Sequence, residues 1–355
     1  MQPVISVLLT TYHRPELLKL AINSVLRQDF NNFELLILDD ASADNTSEVV
    51  HAFKDSHIRY LRQKKNVGFT KNFRNGISKA KGRYIFLLSD DDMIVYSHTL
   101  SHVVGQMGKT GAGVGAMSLF FYENDPMRPN SYTHLKHSGY VPPSQENIIK
   151  TVDGHFGFMS GLIYRRDLIK LNDIEDDLWV AHLKPFLKIL VSHGLYYFSD
   201  LYILAKNSTT GNISHLDVWK NRGYHLLRQF AMYRELDRSE KRYRQIVHQH
   251  VIGVANSLLG IKYFTSTQNM IAITQLLILT DVSILMYWRL YLSFLSALVV
   301  PKWLLNIIRQ KRIRHFESAV TKIAKARGII KQVRKIKIYE ETLFDDRNQR
   351  KKLQV

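Results

Sequence analysis

Two hydrophobic periods alternate over the first ninety residues. Val4 to Leu9 is a short apolar, β-branched run that predicts a strand. From Pro15 to Leu26 the apolar positions shift to Leu17, Leu18, Ala21, Ile22, Val25 and Leu26, one stripe of a helix with Pro near its first turn. Glu34 to Leu38 predicts a second strand ending in Asp39-Asp40, and Ser42, Asp44, Asn45 and Thr46 then supply turn and cap chemistry. Ile58 to Leu61 predicts a third strand, Lys71 to Ala80 a helix, and Tyr84 to Leu88 a fourth strand that stops at Ser89-Asp90-Asp91-Asp92. Strands separated by short helices argue for an α/β fold, a mostly parallel, doubly wound sheet covered on both faces. Such sheets bind ligands at the carboxyl ends of their strands. Three of those ends are polar here: Thr10-Thr11-Tyr12, Asp39-Asp40, and Ser89 to Asp92.

The pattern is less regular from about residue 105 to 215. Met117 to Tyr122, Leu162 to Tyr164, Tyr196 to Phe198 and Leu201 to Ala205 predict further strands, and Leu183 to Val191 a helix. Beyond Asn212 the character changes to long helical stretches, first charged (Val218 to His250), then apolar (Ile271 to Leu305), then basic. These shifts place a boundary near 215, with a catalytic-type domain over 1–215 and a helical, basic region over 216–355. No stretch reaches the roughly 18 uninterrupted apolar residues of a spanning helix, because Asp281, Arg289 and Lys302 interrupt the best candidate.

Composition narrows the function classes. The 355 residues contain no cysteine, which excludes disulfides, thiolate metal sites and a cysteine nucleophile. The start, MQPVISVLLTTYHRPELL, has neither a basic n-region nor a small-residue cleavage site and reads as not secreted. A net charge of +18 suggests nucleic acid until it is divided along the chain. Residues 1–215 hold 23 basic and 21 acidic side chains, residues 216–300 hold 10 and 5, and residues 301–355 hold 16 and 5. The positive field therefore belongs to the tail, which suits anionic lipid headgroups better than a chain-wide RNA surface, and no nucleic-acid partner is expected.

The polar strand ends carry the candidate chemistry. Three adjacent carboxylates at Asp90-Asp91-Asp92 repel one another, and a hard divalent cation, Mg²⁺ or Mn²⁺, offsets that repulsion while bridging nucleotide phosphates. The plain alternative is a solvated acidic turn. Asp39 can accept a base imide or ribose hydroxyl, whereas Asp40 with Ser42 and Thr46 equally suits a turn and cap. Asn66-Val67-Gly68 followed by Arg74-Asn75-Gly76 offers a glycine loop before a helix with cations for a diphosphate, or simply a turn.

Taken in order and spacing, Thr10-Thr11-Tyr12, Asp39-Asp40-Ala41-Ser42, Asn66-Val67-Gly68, Arg74-Asn75-Gly76, Gly82 to Leu88 and Ser89 to Asp92 resemble family 2 glycosyltransferases. The resemblance is dense over 4–95, looser to about 215, and is strongest to the branch that builds O-antigens and other surface polysaccharides, abequosyltransferase-like proteins included. It implies a GT-A fold and an inverting, metal-dependent transfer of a sugar from a nucleotide-sugar donor to a hydroxyl. Carried onto this chain, Thr10, Tyr12 and Asp39 would hold the nucleoside. Asn66, Gly68 and Arg74 would face the diphosphate, Asp90 would lie near the ribose, and Asp91 and Asp92 would meet the metal. Ser89 stands where many members have Asp. Phe158 to Arg166 resembles the strand beside the sugar pocket, and Lys206 to Ser214 the closing loop over the pyrophosphate.

Inversion also needs a general base on the acceptor hydroxyl. The Glu-Asp pair that the family often places before the next glycine turn is absent at Ala181-His182, which leaves His182 and Asp177 as candidates. A helix histidine and a helix cap are their ordinary alternatives. The missing pair motivates a second reading, a nucleotide-sugar or glycan-binding protein that kept the fold without catalysis. In the tail, Trp303, Leu304, Ile307, Ile308, Phe316, Val320 and Ile323 recur at helical spacing among Arg309, Lys311, Arg312 and Arg314. With Trp288 and Tyr291 they suit peripheral attachment to an anionic membrane at its cytoplasmic face, where a lipid-linked glycan acceptor would lie. The alternative is a hairpin that buries its own faces or those of a second subunit in a homo-oligomer.

Overall fold

The computed structural model describes residues 2–133, 139–143, 158–174, 180–206, 231–232, 235–236, 243–256, 258 and 267–337. Strands β1 (Ile5–Thr11), β2 (Phe33–Asp39), β3 (Ile58–Arg62) and β4 (Tyr84–Ser89) lie parallel in the order β3-β2-β1-β4. Helices α1 (Pro15–Leu26), α2 (Thr46–Ala52) and α3 (Phe69–Lys79) connect them. Register brings Thr11 opposite Asp39 and Thr10 opposite Ser89, so the polar strand ends meet on one rim.

The two-residue period of each strand divides its side chains between two cores. Leu8, Leu36, Leu38, Ile85 and Leu87 join Phe73 and Ile77 of α3 on one face. Val7, Leu9, Leu35, Ile37, Phe86 and Leu88 meet Leu18, Ile22 and Val25 of α1 on the other. Both faces are covered, which is why the strands read as continuous apolar runs.

Past β4 the strand directions become mixed. After β5 (Met93–Ile94), α4 (Thr99–Thr110) ends at Gly111, whose φ of 71° is the left-handed cap, and leads into β6 (Val114–Tyr122). Two short strands, β7 (Ser131–Thr133) and β8 (Gly139–Val141), pair antiparallel with β6 and with β10 (Leu195–Lys206). The strand β9 (Leu162–Arg165) inserts between β4 and β6, antiparallel to both, while β10 runs parallel to β6. The expected parallel sheet is therefore mixed on this side. The cause is visible at Gly161, where the chain turns at φ +83° and a Cβ would stand 2.9 Å from Ile203 Cγ1.

The expected helices follow: α5 (Leu183–His193), then α6 (Arg244–Asn256), α7 (Thr267–Thr280), α8 (Trp288–Val299) and α9 (Lys302–Ala326). Val251, Ala255, Met270, Ile273, Leu277, Leu290 and Ala297 extend the α3 and α5 core. The last described helical residues, 329–337, return to the sheet. Val320, Ala324, Ile329, Ile330, Val333 and Ile336 form one cluster with Met93, Val95, Phe120, Tyr122, Tyr202 and Leu204. The Tyr96 hydroxyl donates to the Arg327 carbonyl at 2.8 Å, and the Arg327 guanidinium lies 5.3 Å from the Tyr202 ring centre. Residues on both sides of position 215 thus share a core.

Candidate active site

The carboxyl rim is built by strand ends and by two backbone kinks. His13 (φ 55°) and Ala41 (φ 66°) adopt left-handed conformations that a non-glycine residue enters at a cost. Ser42 ties the kinks together: its hydroxyl accepts the His13 N–H at 2.9 Å, and its own N–H donates to Asp39 Oδ1 at 2.9 Å. Asp39 is fully buried, and its other oxygen accepts from the Tyr60 hydroxyl with the Arg62 Nε 3.7 Å away. Burial first, then the bond to Asp39, push the Tyr60 phenol well above its ordinary range, so it stays a donor.

Asp40 acts on the neighbouring loop. Its carboxylate accepts the N–H groups of Val67 and Gly68 at 2.8 and 2.9 Å, and Asn66 Oδ1 accepts from Gly68 at 3.2 Å. Gly68 itself has φ 82° at the start of α3, a backbone that only glycine takes without strain. Asp40 therefore fixes the Asn66-Val67-Gly68 loop, a role the turn-and-cap reading did not contain. Arg74 donates to the Ile174 carbonyl and holds the segment that precedes residue 175. Tyr12 is 38% exposed and its ring stands edge-on to His13 at 4.2 Å.

Asp90, Asp91 and Asp92 follow β4 in a turn closed by the Asp92 N–H on the Ser89 carbonyl at 3.2 Å. All three are buried, with Asp91 at 8% the most accessible. The Thr11 hydroxyl donates to Asp90 Oδ2 at 2.7 Å, and Arg14 Nη1 donates to Asp90 Oδ1 at 3.2 Å and Asp91 Oδ2 at 2.9 Å. Asp92 receives the Ser160 hydroxyl and, at 2.9 Å, the Lys206 backbone N–H. The Tyr122 hydroxyl donates to the Asp91 carbonyl at 3.2 Å. Burial pushes the Asp90 carboxyl up to about 7, with Arg14 pulling against it and Asp91 adding to it. Burial and the Asp91 charge hold Asp92 well above the carboxylate range as well. Both rises are burial effects first, with the charge of Asp91 adding to them.

Three adjacent carboxylates, two of them bonded to the Arg14 guanidinium, present the oxygen donors that suit a hard divalent ion. Among the described residues no three acidic or histidine side chains converge into a complete metal cage. An ion that bridges a diphosphate needs none, since Mg²⁺ keeps its waters and takes one or two carboxylates plus the phosphates. Asp91 has the access for this. The residues present therefore fit a Mg²⁺ or Mn²⁺ ion.

The base candidates fare differently. His182 immediately precedes α5 and is 1% exposed; its carbonyl accepts from the Tyr164 hydroxyl at 2.9 Å. Asp177 lies outside the described residues, as do residues 207–214 of the loop expected over the pyrophosphate. Sequence reading missed Arg14 altogether, and saw Ser160 and Lys206 only as parts of longer stretches. Each reaches the carboxylates across at least 68 positions of chain. The adjacency of Arg14 to Thr10-Thr11-Tyr12, on a rim shared with Asp90, was the one available hint.

Residues 6–171 match the model of glycosyl transferase family 2. Over those residues the chain is similar to family 2 glycosyltransferases. Among relatives of this region, a GalNAc(5)-diNAcBac-PP-undecaprenol beta-1,3-glucosyltransferase of Campylobacter jejuni is 38% identical over 96 residues, 26% of this chain and 31% of the relative. The Escherichia coli UDP-Glc:alpha-D-GlcNAc-diphosphoundecaprenol beta-1,3-glucosyltransferase WfgD is 34% identical over 90 residues, 25% and 36% of the two chains. The chain thus spans about a third of the length of these curated relatives. Over most of the chain the likeness is one of fold. Staphylococcus aureus TarS 1–349 superposes with a TM-score of 0.51 at 17% identity, covering 82% of this chain and 89% of that one. The mannosyltransferase PcManGT from Pyrobaculum calidifontis, solved with GDP-Man and Mn²⁺, gives 0.51 at 13% identity over 94% and 86%. The fold here is of the GT-A type.

Proposed function

We propose that the protein transfers a sugar, with inversion, from a nucleotide-sugar donor to a hydroxyl of a lipid-linked glycan during surface polysaccharide or O-antigen assembly. The observation that carries this reading is the buried carboxylate trio at the rim, of which Asp91 is the most accessible. Relatives named for undecaprenol-linked substrates support the acceptor class.

The chain's own groups divide the work. Thr10 and Tyr12 line the rim where a nucleoside would lie, with Asp39 behind them fixing the Ser42 turn. Asp91 would hold the ion, with Asp92 and Asp90 adding negative charge behind it. A bound divalent ion supplies neutralisation of the charge that builds on the departing diphosphate. Asn66 and Gly68 belong to the loop that Asp40 holds through the Val67 and Gly68 amides, and Arg74 braces the neighbouring segment.

The acceptor hydroxyl must give up its proton on the opposite side. Of the two candidate bases this reading favours Asp177, because a 1% exposed imidazole has no open path to a hydroxyl arriving from solvent. Asp177→Asn should lower turnover by about 10² to 10⁴ with nucleotide affinity intact. His182→Ala should lower thermal stability and leave turnover of the folded protein within a few-fold. The reverse outcome moves the base to His182. Absence of both transfer and slow donor hydrolysis, over a panel of UDP-, GDP-, CDP- and dTDP-sugars with Mn²⁺, would favour the non-catalytic binding protein.

Peripheral attachment to the cytoplasmic face of an anionic membrane belongs to the same proposal. No described helix is long and apolar enough to span a bilayer. Yet Met286 is 89% exposed, Val299 80%, and Trp288, Leu295 and Trp303 more than half. An apolar ridge of this size calls for a partner surface. It runs directly into the basic tail, each of whose Lys and Arg side chains contributes up to about 1 kcal/mol at an anionic surface. Cosedimentation with phosphatidylglycerol vesicles, lost with phosphatidylcholine alone, is the expected result. A concentration-dependent dimer that ignores vesicles would assign the ridge to a second subunit instead.

A further inference from the structure

Arg14 is the cation that the carboxylate trio holds in this structure. It enters from the turn between β1 and α1, its side chain is 12% exposed, and a single nitrogen, Nη1, spans Asp90 Oδ1 and Asp91 Oδ2 at 3.2 and 2.9 Å. Other donors to the trio meet different oxygens: the Thr11 hydroxyl meets the far oxygen of Asp90, and the Ser160 hydroxyl and the Lys206 N–H meet the two oxygens of Asp92. Asp91, the most accessible carboxylate, is thus met on its Oδ2 by a guanidinium.

The geometry points to Arg14 as a counter-ion that must leave Asp91 when a divalent ion binds, and that then turns its guanidinium to the donor's diphosphate. This inference rests on the metal-dependent reading above and goes beyond it. Two cations on one buried carboxylate repel each other, and the repulsion is strongest where water is scarce. An ion alone would therefore have to displace Arg14 and leave it buried beside a positive charge. An ion that arrives with a nucleoside diphosphate brings the acceptor Arg14 needs, because the planar guanidinium fork matches two phosphate oxygens. Ion and nucleotide would then favour each other's binding, reciprocally, through Arg14. The arrangement offsets part of the rim's negative charge in the absence of donor and delays assembly of the metal site until the substrate is present.

The test is Mn²⁺ binding to the full chain, read as free Mn²⁺ by electron paramagnetic resonance, first without nucleotide and then with UDP or GDP. Wild type should bind Mn²⁺ weakly alone and at least about tenfold more tightly with nucleotide. Arg14→Gln should bind Mn²⁺ alone about tenfold more tightly than wild type, while its nucleotide affinity at saturating Mn²⁺ falls by a similar factor. Arg14→Lys, which keeps a charge but loses the fork, should tighten Mn²⁺ alone a few-fold and carries the test if the glutamine variant does not fold. Unchanged or weaker Mn²⁺ binding by the folded variants overturns the role of Arg14. Asp91→Asn separates this failure from that of the metal reading. If it leaves Mn²⁺-dependent nucleotide binding intact, the ion does not use Asp91 and the larger proposal falls, whatever Arg14 does.

Discussion

The strand rim over residues 5–95 and the helical stretch over 279–308 have opposite surfaces. In the first, every apolar position of β1, β2 and β4 is buried and the groups at the rim include carboxylates, hydroxyls and the guanidinium groups of Arg14 and Arg62. In the second, helices pack through a thin seam, with Leu290 and Ala297 as the buried residues of α8, and large apolar and aromatic side chains stand in the open. Where the core covers all apolar surface, unusual features are polar and point to chemistry. Where apolar surface is left uncovered, the unusual feature is the surface itself and points to a partner.

The comparison breaks most severely at Asp91. Replacing it with Asn should lower transfer about 10³-fold by removing charge from the ion's position, a loss visible in single-turnover assays with Mn²⁺ and absent from the thermal melt. Activity within a few-fold of wild type would mean that the rim is an ordinary acidic turn. Next comes the core. Phe86→Ala on β4 should cost about 3–5 kcal/mol by denaturant titration, whereas Met286→Ala on the ridge should stay within about 0.5 kcal/mol. Equal costs would show that the ridge is packed in solution. A smaller effect follows from replacing Trp288 and Trp303 with Ser together, which should weaken binding to phosphatidylglycerol vesicles about tenfold without lowering the melting temperature.

A further effect is a pH dependence at the rim. Asp90 titrates at about 7 in the folded chain because burial opposes its charge, against about 3.9 for a free carboxylate. The folded state therefore binds the proton more tightly. The stability linked to that proton is complete below about pH 4 and is lost as pH rises through about 7. In the presence of a chelator, the melting temperature of Asp90→Asn relative to wild type should rise between pH 5 and 8. A constant difference across that range would place the raised proton affinity elsewhere in the trio.

Legibility followed the range of the interactions. Strands β1 to β4 and helices α1 and α3 were readable because each writes its period into neighbouring residues, and a sheet covered on both faces leaves an unbroken apolar run. Asp39 and Asp40 were readable as a polar strand end, but their separate uses were not. Whether one meets Tyr60 and the other the Val67 and Gly68 amides depends on strands and loops more than twenty residues apart. Strand β9 could be named as a strand, yet its antiparallel insertion between β4 and β6 could not, since pairing partners are not encoded in local alternation.

The amino-acid order by itself determined the alternating architecture, the acidic end of the fourth strand, the apolar stretch before residue 305 and the basic tail, because each is a property of adjacent residues and their period. Only the tertiary structure decided that Arg14 reaches Asp90 and Asp91, that Ser160 and Lys206 take up Asp92, and that residues 320–336 return to the sheet. Those pairings depend on which surfaces close against each other, and burial, which sets the charge state of the trio, exists only after they have closed.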